Sequence, residues 1–226
     1  MPQQRNMSIE YLRVFFMFCV CLLHYLLYGL GYDPMDTSAP HYAQNATLMS
    51  LAQFGVTGFM FISGYFGMRF KGERLFRLWT ECVFYSIVLC IVAVFFLGNH
   101  SIVSIVFSCF FPVSLGHWWF IRCYLLLYIL SPLINRGIEQ VPKKTLLLIT
   151  LTFFLISYGA YCIPAQTGNN VFMLLTIYLI GRYLRLYPIK LLEARCKPIF
   201  IISTATLLLT TYISASYQGG GNGAIL

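Results

Sequence analysis

Residues 9–25 read IEYLRVFFMFCVCLLHY, a nearly unbroken apolar run with one arginine, Arg13, and one histidine, His24. In an α-helix of about 100° per residue, eleven steps bring Arg13 and His24 onto one face, roughly 16 Å apart along the axis. If the helix crosses a membrane, Arg13 lies at one surface and His24 lies at depth. An ionisable residue inside a bilayer is costly and indicates a functional site, although a histidine bonded to a neighbouring helix would fit the same pattern.

The composition of the whole chain is that of a membrane protein. Hydrophobic residues make up 59% of its 226 residues and charged residues 10%, with a mean hydropathy of +0.75. Soluble domains contain about a quarter charged residues. The eight cysteines lie mostly within apolar runs and form no C-x-x-C pair, which predicts small core residues and no metal site. The first apolar run is longer than that of a cleaved signal peptide, which favours a retained helix.

The apolar runs predict an all-α, polytopic transmembrane bundle that forms a single domain over residues 1–226. About seven spans are expected, each long enough to cross the hydrocarbon core. They lie near residues 11–30, 48–68, 78–97, 118–135, 145–163, 171–187 and 198–216. Residues 102–115 are apolar but short and contain Pro112, which predicts a half-helix or re-entrant segment. Gly55, Gly58, Ser63 and Gly64 in the second span allow close helix packing, although a glycine there would equally fit a bend or a close substrate.

The positions of the basic residues test this topology, because cytoplasmic loops are enriched in lysine and arginine. We place the N-terminus in the cytoplasm and let residues 102–115 return without crossing. All of the 15 lysines and arginines except Arg122 then fall in inside segments. These segments are residues 1–13, 69–77, 136–144 and 182–197. The net charge of +8 therefore reflects membrane topology and does not indicate nucleic-acid binding.

Two groups of residues, one in the first span and one at the predicted cytoplasmic end of the third, carry candidate chemistry. A neutral imidazole at His24 can accept a proton from a hydroxyl, and an arginine at position 13 can bind a phosphate or carboxylate. Glu10, one turn earlier, is placed to orient Arg13. Arg74 and Arg77 form a pair suited to a diphosphate, or else ordinary inside charge that contacts lipid headgroups. Glu81, one turn after Arg77, is expected to pair with it.

A third group, Gly116-His117-Trp118-Trp119-Phe120, follows the predicted half-helix. Tandem tryptophans are typical of the aromatic belt at a membrane interface. Indole faces can also stack on sugar rings, so the tryptophans are candidates for a sugar site. His117 is a second candidate base. Arg122 lies in the outer half of a span, where an arginine is expected to face the protein interior or a polar cavity.

Taken together, these motifs resemble acyltransferase family 3, integral-membrane acyltransferases that modify surface polysaccharides and other glycans. The matching stretches are Glu10-Tyr-Leu-Arg13 through His24, Gly55-Val-Thr-Gly-Phe-Met-Phe-Ile-Ser-Gly64, Arg74-Leu-Phe-Arg77, and His117-Trp-Trp-Phe120 in a span ending in Ser131-Pro-Leu-Ile. Later spans match only as hydrophobic helices. Members of the family usually have more spans and longer chains, so this sequence resembles a member that is incomplete at its C-terminus.

The resemblance implies transfer of an acyl group, most often acetyl, from acyl-CoA to a hydroxyl of a surface polysaccharide or another glycan. It implies His24 and Arg13 as catalytic residues, and Arg74 and Arg77 as ligands of the acyl-CoA donor. The residues implied at the acceptor site are His117, Trp118, Trp119 and Arg122. No permanently bound cofactor is implied. The expected partners are acyl-CoA, a glycan or lipid-linked sugar, and the lipid bilayer, in a bacterial inner membrane.

Two other interpretations stay open on the sequence alone. A transporter or flippase for a glycan or lipid would line its substrate path with the same intramembrane histidine and arginine. An internal inverted repeat would favour that interpretation, and the sequence shows none. The other alternative is an inactive, truncated membrane protein. Turnover of a thioester separates an enzyme from both.

Overall fold

The computed structural model describes residues 7–97, 119–159, 171–190 and 194–221, and within these ranges the chain is helical and has no β-strand. The helices are α1 (Met7–His24), α2 (Tyr42–Ala52), α3 (Phe54–Phe66), α4 (Gly72–Leu97), α5 (Trp119–Gln140), α6 (Lys143–Phe154), α7 (Val171–Leu186) and α8 (Cys196–Gly221). Single π-helical turns, Tyr25–Gly29 and Leu155–Gly159, extend α1 and α6. The predicted all-α fold is confirmed.

Several helices are long and apolar enough to cross a membrane. Among the described residues, five stretches qualify: Met7–Gly29, Tyr42–Phe66, Gly72–Val92, Trp119–Gln140 and Cys196–Gln218. They overlap the first four predicted spans and the seventh. Helices α6 and α7 lie where the fifth and sixth spans were predicted. Helix α7 has 16 residues, a rise of about 24 Å against a hydrocarbon core of about 30 Å. The count of seven stays a prediction, and the half-helix at residues 102–115 lies outside the described ranges.

Helix α1 illustrates why these helices belong in a bilayer. Cys19 is its one buried residue within the described chain, while Phe15, Met17 and Phe18 are exposed. Leaving such side chains in water forgoes about 1.5–3 kcal/mol each relative to burial. Lipid acyl chains supply that burial, so the exposed surface is stable only inside a membrane. The protein is therefore an integral membrane protein.

The chain divides into two compact units. The first, here called the terminal unit, comprises Met1–Ile62 and Tyr187–Leu226, and the second, the central unit, comprises Ser63–Leu186. In the terminal unit, α2 packs along α8 and against α1. In the central unit, α7 packs against α5 and α6. The predicted site residues are divided between the two units.

Glycines of α3 allow close backbone contacts in both units, as the sequence predicted. A Cβ atom at Gly55 would lie 2.9 Å from the carbonyl oxygen of Phe16, and one at Gly58 would overlap the Phe16 ring. In the central unit, a Cβ at Gly64 would lie 2.8 Å from the Cα of Tyr178. Small residues at helix contacts let backbones approach closely, and van der Waals packing of this kind drives helix association in membranes.

We predict that Gly64→Ala lowers the thermal stability of the detergent-solubilised protein. The added methyl group meets the backbone of Tyr178, which cannot rotate away, and overpacking typically costs about 1–3 kcal/mol. The matched control is Gly137→Ala in α5, where a Cβ meets no atom within 4 Å. Alanine in a helix interior is favoured over glycine by about 0.5–1 kcal/mol, so this control should keep or raise the stability.

The unfolding midpoint of each variant would be measured by differential scanning fluorimetry in one detergent. A midpoint of Gly64→Ala equal to that of the wild type would contradict the tight contact between α3 and Tyr178.

Candidate functional site

His24 is the last α-helical residue of α1, and its side chain is exposed. Its Nδ1 atom lies 2.8 Å from the carbonyl oxygen of Val20. Because a carbonyl oxygen only accepts hydrogen bonds, Nδ1 carries the proton and donates it to Val20. A neutral imidazole in this tautomer has its accepting lone pair on Nε2. When the imidazole is neutral, this hydrogen bond leaves the Nε2 lone pair available for general-base chemistry.

Arg13 lies eleven residues before His24 in the same continuous α-helix. The two residues are therefore about 16 Å apart along the axis and close to one face, as the sequence predicted. Nη1 of Arg13 donates to Oε1 of Glu10 at 2.9 Å, which confirms the predicted pairing. A guanidinium has five N–H donors, so Glu10 can orient Arg13 while other donors remain for an anionic ligand.

Arg74 and Arg77 lie in the first two turns of α4, which begins at Gly72. Nε of Arg77 donates to Oε1 of Glu81 at 3.0 Å, which confirms the predicted ion pair. The Arg77 side chain is nonetheless 82% exposed. Arg74 is also exposed and forms no side-chain ion pair within the described ranges.

The position of this arginine pair has an electrostatic cost that a bound anion would remove. The N-terminal end of a helix carries a partial positive charge, so cations in its first turns are unfavourable by roughly 0.3–1 kcal/mol each. Glu73, in the first turn of α4, offsets part of this. Backbone N–H groups at a helix N-terminus bind phosphates readily. Two guanidinium groups at such a terminus therefore form a suitable site for a phosphate-bearing ligand.

The loop that leads into α4, residues 67–71, is held by side chains from α5 and α7. The hydroxyl of Tyr178 accepts a hydrogen bond from the backbone N–H of Met68 at 3.2 Å and donates to Oδ1 of Asn135 at 2.6 Å. The amide of Asn135 in turn donates to the carbonyl oxygen of Met68 at 2.8 Å. Tyr178 is almost completely buried. The hydroxyl of Tyr178 and the side-chain amide of Asn135 therefore satisfy both backbone polar groups of Met68 inside the protein.

Tyr128 of α5 holds the other end of the same loop. Its hydroxyl accepts from the backbone N–H of Lys71 at 3.0 Å and donates to the carbonyl oxygen of Arg69 at 3.0 Å. The ring of Phe70 lies against the Tyr128 ring, with centroids 5.5 Å apart. The segment that positions Arg74 is therefore fixed at its beginning and its end.

The sequence predictions missed Tyr128, Asn135 and Tyr178 as residues that support the site. The signal was present, because an amide and two hydroxyls inside apolar spans must find partners where water is absent. Their partners lie as far as 110 residues away in sequence, and nothing in the sequence identifies them.

The structure describes part of the predicted acceptor site. Trp119 is the first residue of α5 and is half-buried, and its ring meets that of Phe120 edge-on at 6.0 Å. Arg122 lies one turn later and is exposed. His117 and Trp118 lie outside the described residues. Within those residues, no group of three His, Cys, Asp or Glu side chains is arranged to hold a metal ion.

The predicted residues fall into two groups. Arg13 and His24 belong to the terminal unit. Arg74, Arg77, Trp119 and Arg122 belong to the central unit. Among them, the structure brings Arg13 to Glu10 and Arg77 to Glu81.

We predict that Tyr128→Phe exposes the 67–71 loop to trypsin, which cleaves after Arg69 and Lys71. The substitution leaves two backbone groups without their partner, at a cost of about 1–3 kcal/mol. Cleavage follows the population of the opened loop, so its rate should rise at least about fivefold. The control is Tyr217→Phe, whose side chain is exposed on α8.

Cleavage products would be followed by mass spectrometry of the purified protein at a fixed protease ratio. Equal cleavage rates after Arg69 and Lys71 in Tyr128→Phe and Tyr217→Phe would refute the supporting role of the hydroxyl.

Comparison with known proteins gives one match. The family model of acyltransferase family 3, described as an acyltransferase domain, matches residues 6–225, nearly the entire chain. The curated proteins gave no match, and neither did the solved structures.

Proposed function

Because the chain belongs to acyltransferase family 3 and is a membrane acyltransferase, we propose that it transfers an acyl group from acyl-CoA to a hydroxyl of a surface polysaccharide or another glycan. Acetyl is the acyl group proposed, and the bacterial inner membrane, with the N-terminus in the cytoplasm, is the proposed location. The observation that carries the proposal is the tautomer of His24, whose protonated Nδ1 faces the Val20 carbonyl. A base at Nε2 is what activation of a sugar hydroxyl requires.

In the proposed reaction, Nε2 of His24 accepts the proton of the sugar hydroxyl while the hydroxyl oxygen attacks the carbonyl carbon of the thioester. The tetrahedral intermediate then collapses, the carbon–sulfur bond breaks, and the imidazolium returns its proton to the departing thiolate. One ester forms, one thioester is consumed, and His24 is regenerated. A transient acyl group on His24, followed by attack of the hydroxyl, is the alternative route open to the same residue.

The geometry of α1 favours one of two roles for Arg13. Arg13 could stabilise charge that develops on the thioester carbonyl, or it could position the donor. The separation of about 16 Å from His24 along the axis is several times a hydrogen-bond distance. The Arg13 side chain is also held by Glu10, one turn further away from His24, so the two residues are assigned to different parts of the donor. Acyl-CoA is a long molecule with its thioester far from its phosphates, so Arg13 is assigned to positioning the donor.

Arg74 and Arg77 are assigned to the pyrophosphate of the donor. Both side chains are exposed, they occupy adjacent positions at a helix N-terminus, and their loop is fixed by Tyr128 and Tyr178. Planar guanidinium groups bind phosphate oxygens through paired hydrogen bonds. A role in topology alone would not require the preceding loop to be fixed in this way.

The acceptor is assigned to the end of α5 that carries Trp119 and Arg122, together with His117 and Trp118. A half-buried indole offers one face to a sugar ring, and an intramembrane arginine is suited to a polar path. These residues are proposed to border the entrance through which the glycan reaches the site. The general base is assigned to His24 and not to His117.

We predict that His24→Ala abolishes acyl transfer while the protein still inserts in the membrane. General base catalysis contributes about 10²–10⁴-fold to a rate, so the product should fall by at least that lower factor. The control is His41→Ala, because His41 is exposed in the loop before α2. Both variants would be expressed in a host that lacks its own glycan acylation.

Mass spectrometry of the surface glycans would detect the acyl mass increment. An increment in the wild type and in His41→Ala, absent in His24→Ala, is the expected result and separates an enzyme from a transporter. Transfer at the wild-type level by His24→Ala would contradict the mechanism.

We predict that Arg74→Ala combined with Arg77→Ala raises the KM for acyl-CoA at least tenfold and leaves the KM for the acceptor unchanged. Each charged hydrogen bond contributes about 1.5–3 kcal/mol, and about 1.4 kcal/mol corresponds to a factor of ten. The control is Lys144→Ala, an exposed cation of α6. If the KM for acyl-CoA is unchanged in the double variant, the arginines do not bind the donor and serve only as the positive charge of a cytoplasmic segment.

A further inference from the structure

Helix α7 carries a buried arginine whose charge is poorly compensated. The Arg182 side chain is only 12% exposed, although its sequence position assigns it to a cytoplasmic segment. Its Nε atom is buried and has no hydrogen-bond partner within the described part of the chain. Its ion-pair partner, Glu139, lies 3.9 Å from Nη2 and is itself 65% exposed. That distance is too long for a hydrogen bond.

The packing of the helices alone does not account for the burial of Arg182. A largely buried charge whose nearest carboxylate is mostly in solvent is a costly arrangement. Arg182 lies near the C-terminal end of α7, where the helix dipole favours a cation. That contribution is small beside the cost of burying a guanidinium. A largely buried guanidinium with one orphaned N–H group and a distant carboxylate calls for an explanation, and an anionic ligand would supply one.

The wall beside Arg182 is shaped to leave room for its guanidinium group. Gly67 has a φ of +75°, a conformation that favours glycine, and a Cβ atom there would lie 2.9 Å from Nη1 of Arg182. One turn further along α7, the guanidinium of Arg185 lies 5.3 Å from the centre of the Tyr65 ring. This contact holds a second cation at the same end of the helix.

The surroundings of Arg182 connect it to the arginine pair of α4. Gly67 begins the loop that Tyr178 and Tyr128 hold, and this loop leads directly to Arg74. Arg74 lies seven positions after Gly67 in the sequence, so the Cα atoms of the two residues are at most about 25 Å apart. The charged residues of the loop and of the adjoining part of α5 are mainly basic. They are Arg69 and Lys71 in the loop, and Arg136 and Glu139 in α5.

We propose that Arg182 is a ligand for a phosphate group, and specifically for the 3′-phosphate of coenzyme A. This inference rests on the proposed function, because it takes acyl-CoA as the donor. Coenzyme A carries a pyrophosphate and, separately, a single phosphate on its ribose. The adjacent Arg74 and Arg77 suit the pyrophosphate, and Arg182, a single guanidinium against a glycine, suits the remaining monophosphate. The phosphate displaces Glu139 as the partner of Arg182 and occupies the donors that the protein leaves unused.

The test compares coenzyme A with dephospho-coenzyme A, which lacks only the 3′-phosphate. The full-length protein, in nanodiscs of a neutral lipid, is titrated with each compound by isothermal titration calorimetry. We expect the wild type to bind coenzyme A at least tenfold more tightly than the dephospho form. Arg182→Gln should lose this preference while it keeps the affinity for dephospho-coenzyme A. Lys144→Gln, at an exposed cation of α6, is the matched control and should keep the preference.

A second measurement guards against misfolding of the variant. Arg182→Met removes a poorly compensated buried charge, so its unfolding midpoint without ligand should equal or exceed that of the wild type. A bound ligand stabilises the folded state. Coenzyme A should therefore raise the midpoint of the wild type more than that of Arg182→Met. An equal rise in both would overturn the inference.

The remaining outcomes separate this inference from the proposed function. If the wild type binds coenzyme A and Arg182→Gln keeps its preference, Arg182 is not the ligand and the donor assignment stands. If the wild type binds no coenzyme A but binds vesicles with anionic phospholipid in an Arg182-dependent way, the phosphate comes from lipid and both the donor and the 3′-phosphate assignments are wrong. Failure to bind either would overturn the phosphate site.

Discussion

The structure depends on one constraint, which is that the bilayer offers no hydrogen-bond partner to a polar group. Every backbone N–H and C=O group in the membrane must be satisfied within the protein, and helices achieve this locally. The loop before α4 lies between two helices, in the segment that the sequence predicts to be cytoplasmic. Its backbone is held by the hydroxyls of Tyr128 and Tyr178 and by the amide of Asn135, which come from the neighbouring helices. These hydrogen bonds also fix the position from which Arg74 and Arg77 project.

The same need for a hydrogen-bond partner is met at His24 by its own helix. Nδ1 of His24 donates to the carbonyl of Val20, four residues earlier, at 2.8 Å. Satisfying Nδ1 from the helix backbone determines the tautomer and leaves Nε2 for substrate. Arg13 also has a partner within its own helix. Glu10 accepts a hydrogen bond from one donor of the guanidinium, and the other donors remain for a ligand. Arg182 departs from this pattern, because its side chain is largely buried and its Nε atom has no hydrogen-bond partner within the described residues.

The sequence predicted features whose causes are local. The first helix follows from the apolar run of residues 9–25. The ion pairs of Glu10 with Arg13 and of Arg77 with Glu81, and the close contacts of the α3 glycines, follow from spacings of a few residues. The tyrosine and asparagine contacts to the loop could not be predicted, because their partners come from helices far along the chain. Arg182 was assigned to membrane topology, because counting charges by segment carries no information on burial. The bounds of the helices also differ from the predicted spans, since hydropathy marks the lipid-facing part of a helix and not its first or last turn.

In the proposed reaction, this membrane protein consumes a thioester to acylate a hydroxyl, with His24 as the base. To test this, the purified protein in liposomes is given isotopically labelled acetyl-CoA and a glycan acceptor, and the released thiol and the labelled ester are followed together. We expect one ester formed for each thiol released in the wild type, and neither product above background in His24→Gln, whose side chain lacks a basic nitrogen. Stoichiometric transfer that continues in His24→Gln would contradict it.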